Sequence, residues 1–69
     1  MNGIVYFENE YGIREVVAEA PDIEEAREII REELDVMGID PVYIREFKTN
    51  SGCTKFDYGS QWEFFVWEE

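Results

Sequence analysis

Residues 22–39, Asp22-Ile23-Glu24-Glu25-Ala26-Arg27-Glu28-Ile29-Ile30-Arg31-Glu32-Glu33-Leu34-Asp35-Val36-Met37-Gly38-Ile39, carry the signal that decides the fold. Ile23, Ala26, Ile30, Leu34 and Met37 recur at spacings of three and four, which draws one apolar stripe along an α-helix. Asp22 has the short acceptor side chain of an N-cap. Glu25, three residues on, completes a capping-box pattern, and Pro21 precedes both. Gly38 stands where a left-handed C′ residue belongs, and Ile39 beyond it is placed to meet Leu34, as a Schellman ending requires. The helix is expected from about Ile23 to Met37, with a start, a face and a stop that agree.

Outside this stretch the apolar spacing changes to two. Ile4-Val5-Tyr6-Phe7 is a run of β-branched and aromatic residues and reads as a strand. Asn9-Glu10-Tyr11-Gly12 follows as a turn. Ile13 to Ala20 reads as the returning strand of a hairpin, with Val16, Ala18 and Ala20 on one face and Glu15, Val17 and Glu19 on the other. After Asp40-Pro41, Val42 to Lys48 alternates Val42, Ile44 and Glu46 against Tyr43, Arg45 and Phe47. Thr49-Asn50-Ser51-Gly52 turns the chain, and Cys53–Tyr58 reads either as a short strand or as loop. Past Gly59-Ser60, Trp62–Trp67 is an aromatic strand, with Trp62, Phe64 and Val66 facing one way and Glu63, Phe65 and Trp67 the other. The order is ββαββ, or ββαβββ if Cys53–Tyr58 pairs. It implies one α+β domain over residues 1–69, an antiparallel sheet of four or five strands with one helix packed on one face.

One helix covers only one face of such a sheet, yet both faces of the last strand are apolar. The second face therefore carries its own aromatic cluster, or is buried in a dimer or complex, or lies under residues 49–61. With 69 residues the core is small, of a size that rarely supplies more than about 3–5 kcal/mol. Cys53 is the lone cysteine, so no intramolecular disulfide is available, and a zinc staple is not expected with one thiol and no histidine. An aromatic content of 16% separates the chain from disordered acidic sequences.

Several chemistries are expected to be absent. Without histidine there is no ordinary general base near neutral pH and no Ser/His or Cys/His pair. Cys53 has Lys55 nearby but no other activating group in sequence, and reads as a structural thiol. Gly38, Gly52 and Gly59 are isolated and form no phosphate loop, and no calcium-loop spacing occurs. No catalytic, cofactor-binding or metal-ligating residues are assigned, and a small domain is expected to offer little concave pocket. The N-terminal residues have no charged-then-apolar leader layout and no apolar run is long enough for a membrane span, so a cytoplasmic location is expected.

The charge is the unusual quantity. Seventeen acidic residues against six basic ones give a net −11, whereas solubility of a small domain needs a magnitude of only about 2–8. A field of this sign repels nucleic acid and anionic lipid and attracts basic protein surfaces. Residues 19–40 hold nine carboxylates against Arg27 and Arg31, a net −7. On the helix, Glu24, Glu28, Glu32 and Asp35 fall in one solvent-facing row, flanked by Glu25 and Glu33, with the 24, 28 and 32 positions about 6 Å apart along the axis. That is close to the phosphate spacing of a nucleic-acid strand. A plain solvated face is the competing reading, with Glu24–Arg27, Glu28–Arg31 and Arg31–Asp35 as routine ion pairs.

In size, charge and the acidic run Asp22–Asp35, the chain resembles the small phage and mobile-element inhibitors that mimic DNA, of which anti-CRISPR proteins are the best-known group. That resemblance rests on no diagnostic motif. It implies an inhibitor whose partner is the basic surface of a nucleic-acid-handling protein, such as a Cas effector nuclease, met in the cytoplasm of a bacterial host. On this reading Glu24, Glu25, Glu28, Glu32, Glu33 and Asp35 take the place of phosphates, and Tyr11, Tyr43 and Tyr58 supply aromatic contacts at the rim. Neither direct nucleic-acid binding nor membrane binding is expected. The alternative is an adaptor module that binds a partner, or itself as a homodimer, through the aromatic sheet face or a sheet edge.

Overall fold

A computed structural model describes residues 3–41 and 43–69. It contains β1 (Gly3–Glu8), β2 (Arg14–Ala20), α1 (Ile23–Val36), β3 (Arg45–Lys48), β4 (Thr54–Asp57) and β5 (Phe64–Glu68). All five strands form one antiparallel sheet in the order β2-β1-β5-β4-β3, so the segment between Cys53 and Tyr58 does pair and the sheet has five strands. The α+β architecture with one helix on one face is as the periodicity implies.

The helix begins and ends where local chemistry dictates. Asp22 Oδ1 accepts the Glu25 backbone N–H at 2.8 Å, satisfying a donor that has no intrahelical partner. At the other end Gly38 adopts φ 76, Ile39 N–H donates to Leu34 O at 2.8 Å, and Gly38 N–H donates to Asp35 O at 3.0 Å. These two bonds define a Schellman ending, and only glycine takes that φ without strain. Met37 is the C-cap and is exposed, so the buried stripe is Ala26, Ile30 and Leu34, with Ile23 partly buried beside it.

Register explains which side chains meet the helix. Antiparallel partners point to the same face, so Val5 with Ala18 and Trp67, and Phe7 with Phe65, lie on the helix side. Phe56 joins them by pairing with Phe65, whose ring meets Phe7 edge-on at 5.2 Å and Tyr58 at 5.7 Å. Against this layer pack Ala26, Ile30 and Leu34. Trp67 donates its indole N–H to Ala20 O at 3.0 Å, and its ring lies directly over Gly3, where a Cβ would come within 2.6 Å of Cε2.

Several strand expectations are corrected. A bulge at Val17 interrupts β2, because Val5 faces Ala18 while Tyr6 faces Val16. Val16 therefore leaves the face expected to hold it with Ala18 and Ala20 and becomes 67% exposed, while Val17 packs against the core. The third strand starts at Arg45, not near Val42; Val42 itself lies outside the described residues. Tyr58 turns into the core instead of continuing the ladder, which ends at the Arg45–Asp57 pair. The last strand starts at Phe64, because the Trp62 and Glu63 N–H groups donate to Ser60 Oγ at 3.3 and 3.1 Å and are held in a turn.

The second sheet face is partly covered by charged side chains of the domain itself, while Val16 and Phe47 stay exposed on it. Residues 49–61 do not lie over it, since they supply β4 to the sheet itself. Instead Glu8, half-buried there, accepts from Arg14 Nε and Lys55 Nζ, both at 3.0 Å. Arg14 also reaches Glu68 at 3.1 Å and sits over the Tyr6 ring, while Lys55 Nζ lies 5.0 Å from the centre of Phe64. Long cationic side chains thus lay their stems on the aromatic strands and their heads on the half-buried Glu8 and the exposed Glu68, and Val66 beneath is fully buried. Burial would raise the Glu8 pKa, but the hydrogen bonds and charges of Lys55 and Arg14 outweigh it and hold that carboxyl below its usual value. Cys53, also buried, donates its thiol to Glu68 Oε2 at 3.3 Å.

Candidate protein-binding face

The outer surface of α1 is set by arithmetic. At about 100° per residue, burying Ala26, Ile30 and Leu34 turns Glu24, Glu28, Glu32 and Asp35 directly away from the sheet. All four are exposed, and Glu25 lies beside them. Glu33 does not join the row. It is half-buried on the flank that faces β2, where it meets Phe7, Val17 and Met37.

The expected neutralising pairs do not form. Arg27 turns from Glu24 to Glu46 on β3, donating from Nε at 2.6 Å and from a terminal nitrogen at 2.9 Å in a fork. The Glu46 hydrogen bond and charge raise the Arg27 pKa above its usual value. Arg31 has no carboxylate within ion-pair distance among the described residues, so neither Glu28–Arg31 nor Arg31–Asp35 is made. The row is a line of carboxylates without a cation bound to any of them among the described residues. On the opposite face of the sheet, by contrast, Arg14 and Lys55 are bound to carboxylates.

The three tyrosines are not brought together. Tyr11 sits in the β1–β2 turn and is 79% exposed, at one edge of the sheet. That turn is tied by Asn9, whose Oδ1 accepts from Tyr11 N at 2.9 Å and Ile13 N at 3.0 Å. Tyr43, 65% exposed, precedes β3 at the opposite edge. Tyr58 is only 7% exposed and belongs to the core, so its expected place at a contact rim does not fit the structure. Burial raises its pKa, with the Glu63 and Asp57 charges adding to this and the Ser60 hydroxyl opposing it, and among the described residues its buried hydroxyl has no hydrogen-bond partner.

Two open concavities were not legible in the sequence, which led to an expectation of little concave pocket. A cleft of about 500 Å³ opens between the N-terminal end of α1 and the β3 side, with Pro21, Ile23 and Trp67 as its apolar wall and the Arg27–Glu46 pair and Lys48 at its rim. A groove of about 350 Å³ runs between β2 and the C-terminal turn of α1, with Phe7, Val17 and Met37 as its floor and Glu15 and Glu33 as carboxylates on its lining. The sequence trace of this groove is slight. Val16 and Val17 stand side by side in an otherwise alternating strand, and Glu33 and Met37, four apart, share one flank of the helix. Among the described residues no three His, Cys, Asp or Glu side chains converge as a metal set, and no helix is long and apolar enough to cross a membrane.

The fold and face together define a small α+β domain that presents an acidic helix face whose carboxylates make no ion pair among the described residues. Comparison with protein-family models, with curated proteins and with solved structures returns no match.

Proposed function

We propose that this chain is a protein-binding inhibitor that occupies a basic, nucleic-acid-binding surface of a target protein, with Glu24, Glu28, Glu32 and Asp35 standing in for phosphates. The observation that carries this reading is the diversion of Arg27 to Glu46, which leaves the row exposed and without a bound cation among the described residues. Arginines arranged to grip phosphate oxygens bidentately accept carboxylates in the same fork. Glu25 extends the face. A nuclease that handles guide RNA and DNA, of the Cas effector type, presents such arginines in its nucleic-acid channel.

Binding through an aromatic sheet face is less favoured, because the ion pairs of Arg14, Lys55, Glu8 and Glu68 lie over its centre with Val66 buried under them, leaving Val16 and Phe47 exposed at opposite edges. The test is binding of the purified protein to a panel of nucleic-acid-handling enzymes, Cas9-type effectors included, at low and high salt with competing duplex DNA. The proposal expects salt-sensitive binding that DNA displaces and that a Glu24→Lys, Glu28→Lys, Glu32→Lys variant abolishes. Binding indifferent to salt, to DNA and to those reversals would sink it.

A further inference from the structure

β2 is one of the two edge strands, so the backbone groups along its outer side have no strand partner. Three features meet there. Val16 points away from the helix and is 67% exposed, which leaves an apolar contact with nothing over it among the described residues. Glu15, its neighbour, pairs with Phe7 and so points to the helix side, into the groove floored by Phe7, Val17 and Met37. Glu33 from α1 brings a second carboxylate to the same groove. The floor is apolar, the flanking charges are both negative, and neither Glu15 nor Glu33 has an ion pair among the described residues.

We infer that the β2 edge and this groove form a docking site for an extended segment of a partner protein that carries an arginine flanked by apolar residues. The inference rests on the reading of the chain as a binder of basic surfaces, and it adds a site distinct from the helix row. Strand addition supplies main-chain hydrogen bonds, and alternation then sorts the side chains. The residue opposite Glu15 enters the groove, and its neighbour lies over Val16. An arginine suits the groove because its aliphatic stem covers Phe7, Val17 and Met37 while its planar head donates to the two carboxylates. Charge also decides against a second copy as occupant. The other sheet edge carries Arg45 and Lys48, but each copy brings a net −11, and that repulsion opposes self-association.

The test uses the 69-residue chain, ¹⁵N-labelled, titrated at constant ionic strength with the peptide acetyl-Thr-Val-Arg-Val-Thr-amide. Amide shifts are expected along β2 and at Glu33 and Met37, which line the groove from the end of the helix. A peptide with glutamine in place of arginine should bind at least about tenfold more weakly, the loss equivalent to about 1.4 kcal/mol. Glu15→Gln with Glu33→Gln should weaken the arginine peptide by a similar factor, while the Glu24→Gln, Glu28→Gln, Glu32→Gln variant should retain most of its affinity. Equal affinity for both peptides, shifts confined to the helix row or β3, or no shifts would each overturn the inference. So would sedimentation showing that the protein alone self-associates through β2. None of these outcomes depends on whether the helix row inhibits a nuclease, so the two proposals can fail separately.

Discussion

If the acidic row serves a partner and not the fold, removing its charge should make the isolated domain more stable. The perturbation is the combined Glu24→Gln, Glu28→Gln, Glu32→Gln variant. Gln and Glu have nearly the same helix propensity, so charge is the main change. The row contains like-charged neighbours at 24/28, 28/32 and 32/35, and no cation forms an ion pair with any of them among the described residues, the Arg27 charge acting on Glu24 only through space. At roughly 0.2–0.5 kcal/mol for each such pair, their removal returns about 1 kcal/mol. Losing Glu24 from the first turn forfeits its favourable contact with the helix dipole, about 0.3 kcal/mol, for a net gain of about 0.7 kcal/mol. A domain of this size then gains about 3–6 °C in Tm. Thermal unfolding followed by far-UV circular dichroism at low salt measures it directly. Repeated at about 1 M salt, where the screening length falls to about 3 Å, the difference should nearly vanish. An unchanged or lower Tm at low salt would show that the row helps hold the domain together, and would remove the reason for assigning its charge to a partner.

Two further outcomes follow from buried polar groups. Glu8→Gln should cost about 2 kcal/mol at neutral pH, roughly 1 for each charge-assisted bond from the partly exposed Arg14 and Lys55. Because the folded pKa of Glu8 is lowered, its contribution is complete above the ordinary carboxylate value of about 4.3 and fades as the pH falls through the folded pKa. Urea unfolding of both proteins should therefore converge in acid, and a gap that stays constant with pH would refute the ion-pair account. Tyr58→Phe removes the buried hydroxyl that has no hydrogen-bond partner among the described residues, and should be neutral or stabilising by about 1 kcal/mol in the same assay. A clear loss of stability would mean that the hydroxyl is satisfied in solution.

The helix, its two ends and the acidic row were all readable in residues 22–39, because capping, Schellman closure and amphipathic spacing act between residues at most five apart. The hairpin turn at Asn9–Gly12 was readable for the same reason. The sequence could not say whether Cys53–Tyr58 pairs, where the last strand begins, or which side chains cover the centre of the second sheet face. Those outcomes depend on partners far away in the chain: Val5 meets Trp67, Glu8 binds Lys55, and Arg14 reaches Glu68. The resemblance implied Tyr58 at a contact rim, and alternation put Val16 on one face with Ala18 and Ala20; tertiary packing changed both. Tyr58 left the β-ladder to fill space beside Phe65, and one extra residue at Val17 turned Val16 outward. Even the free state of the acidic row was decided in three dimensions. Arg27 had Glu24 three residues away, but the fold offered it both oxygens of Glu46, and a two-bond fork outcompetes one exposed helical pair.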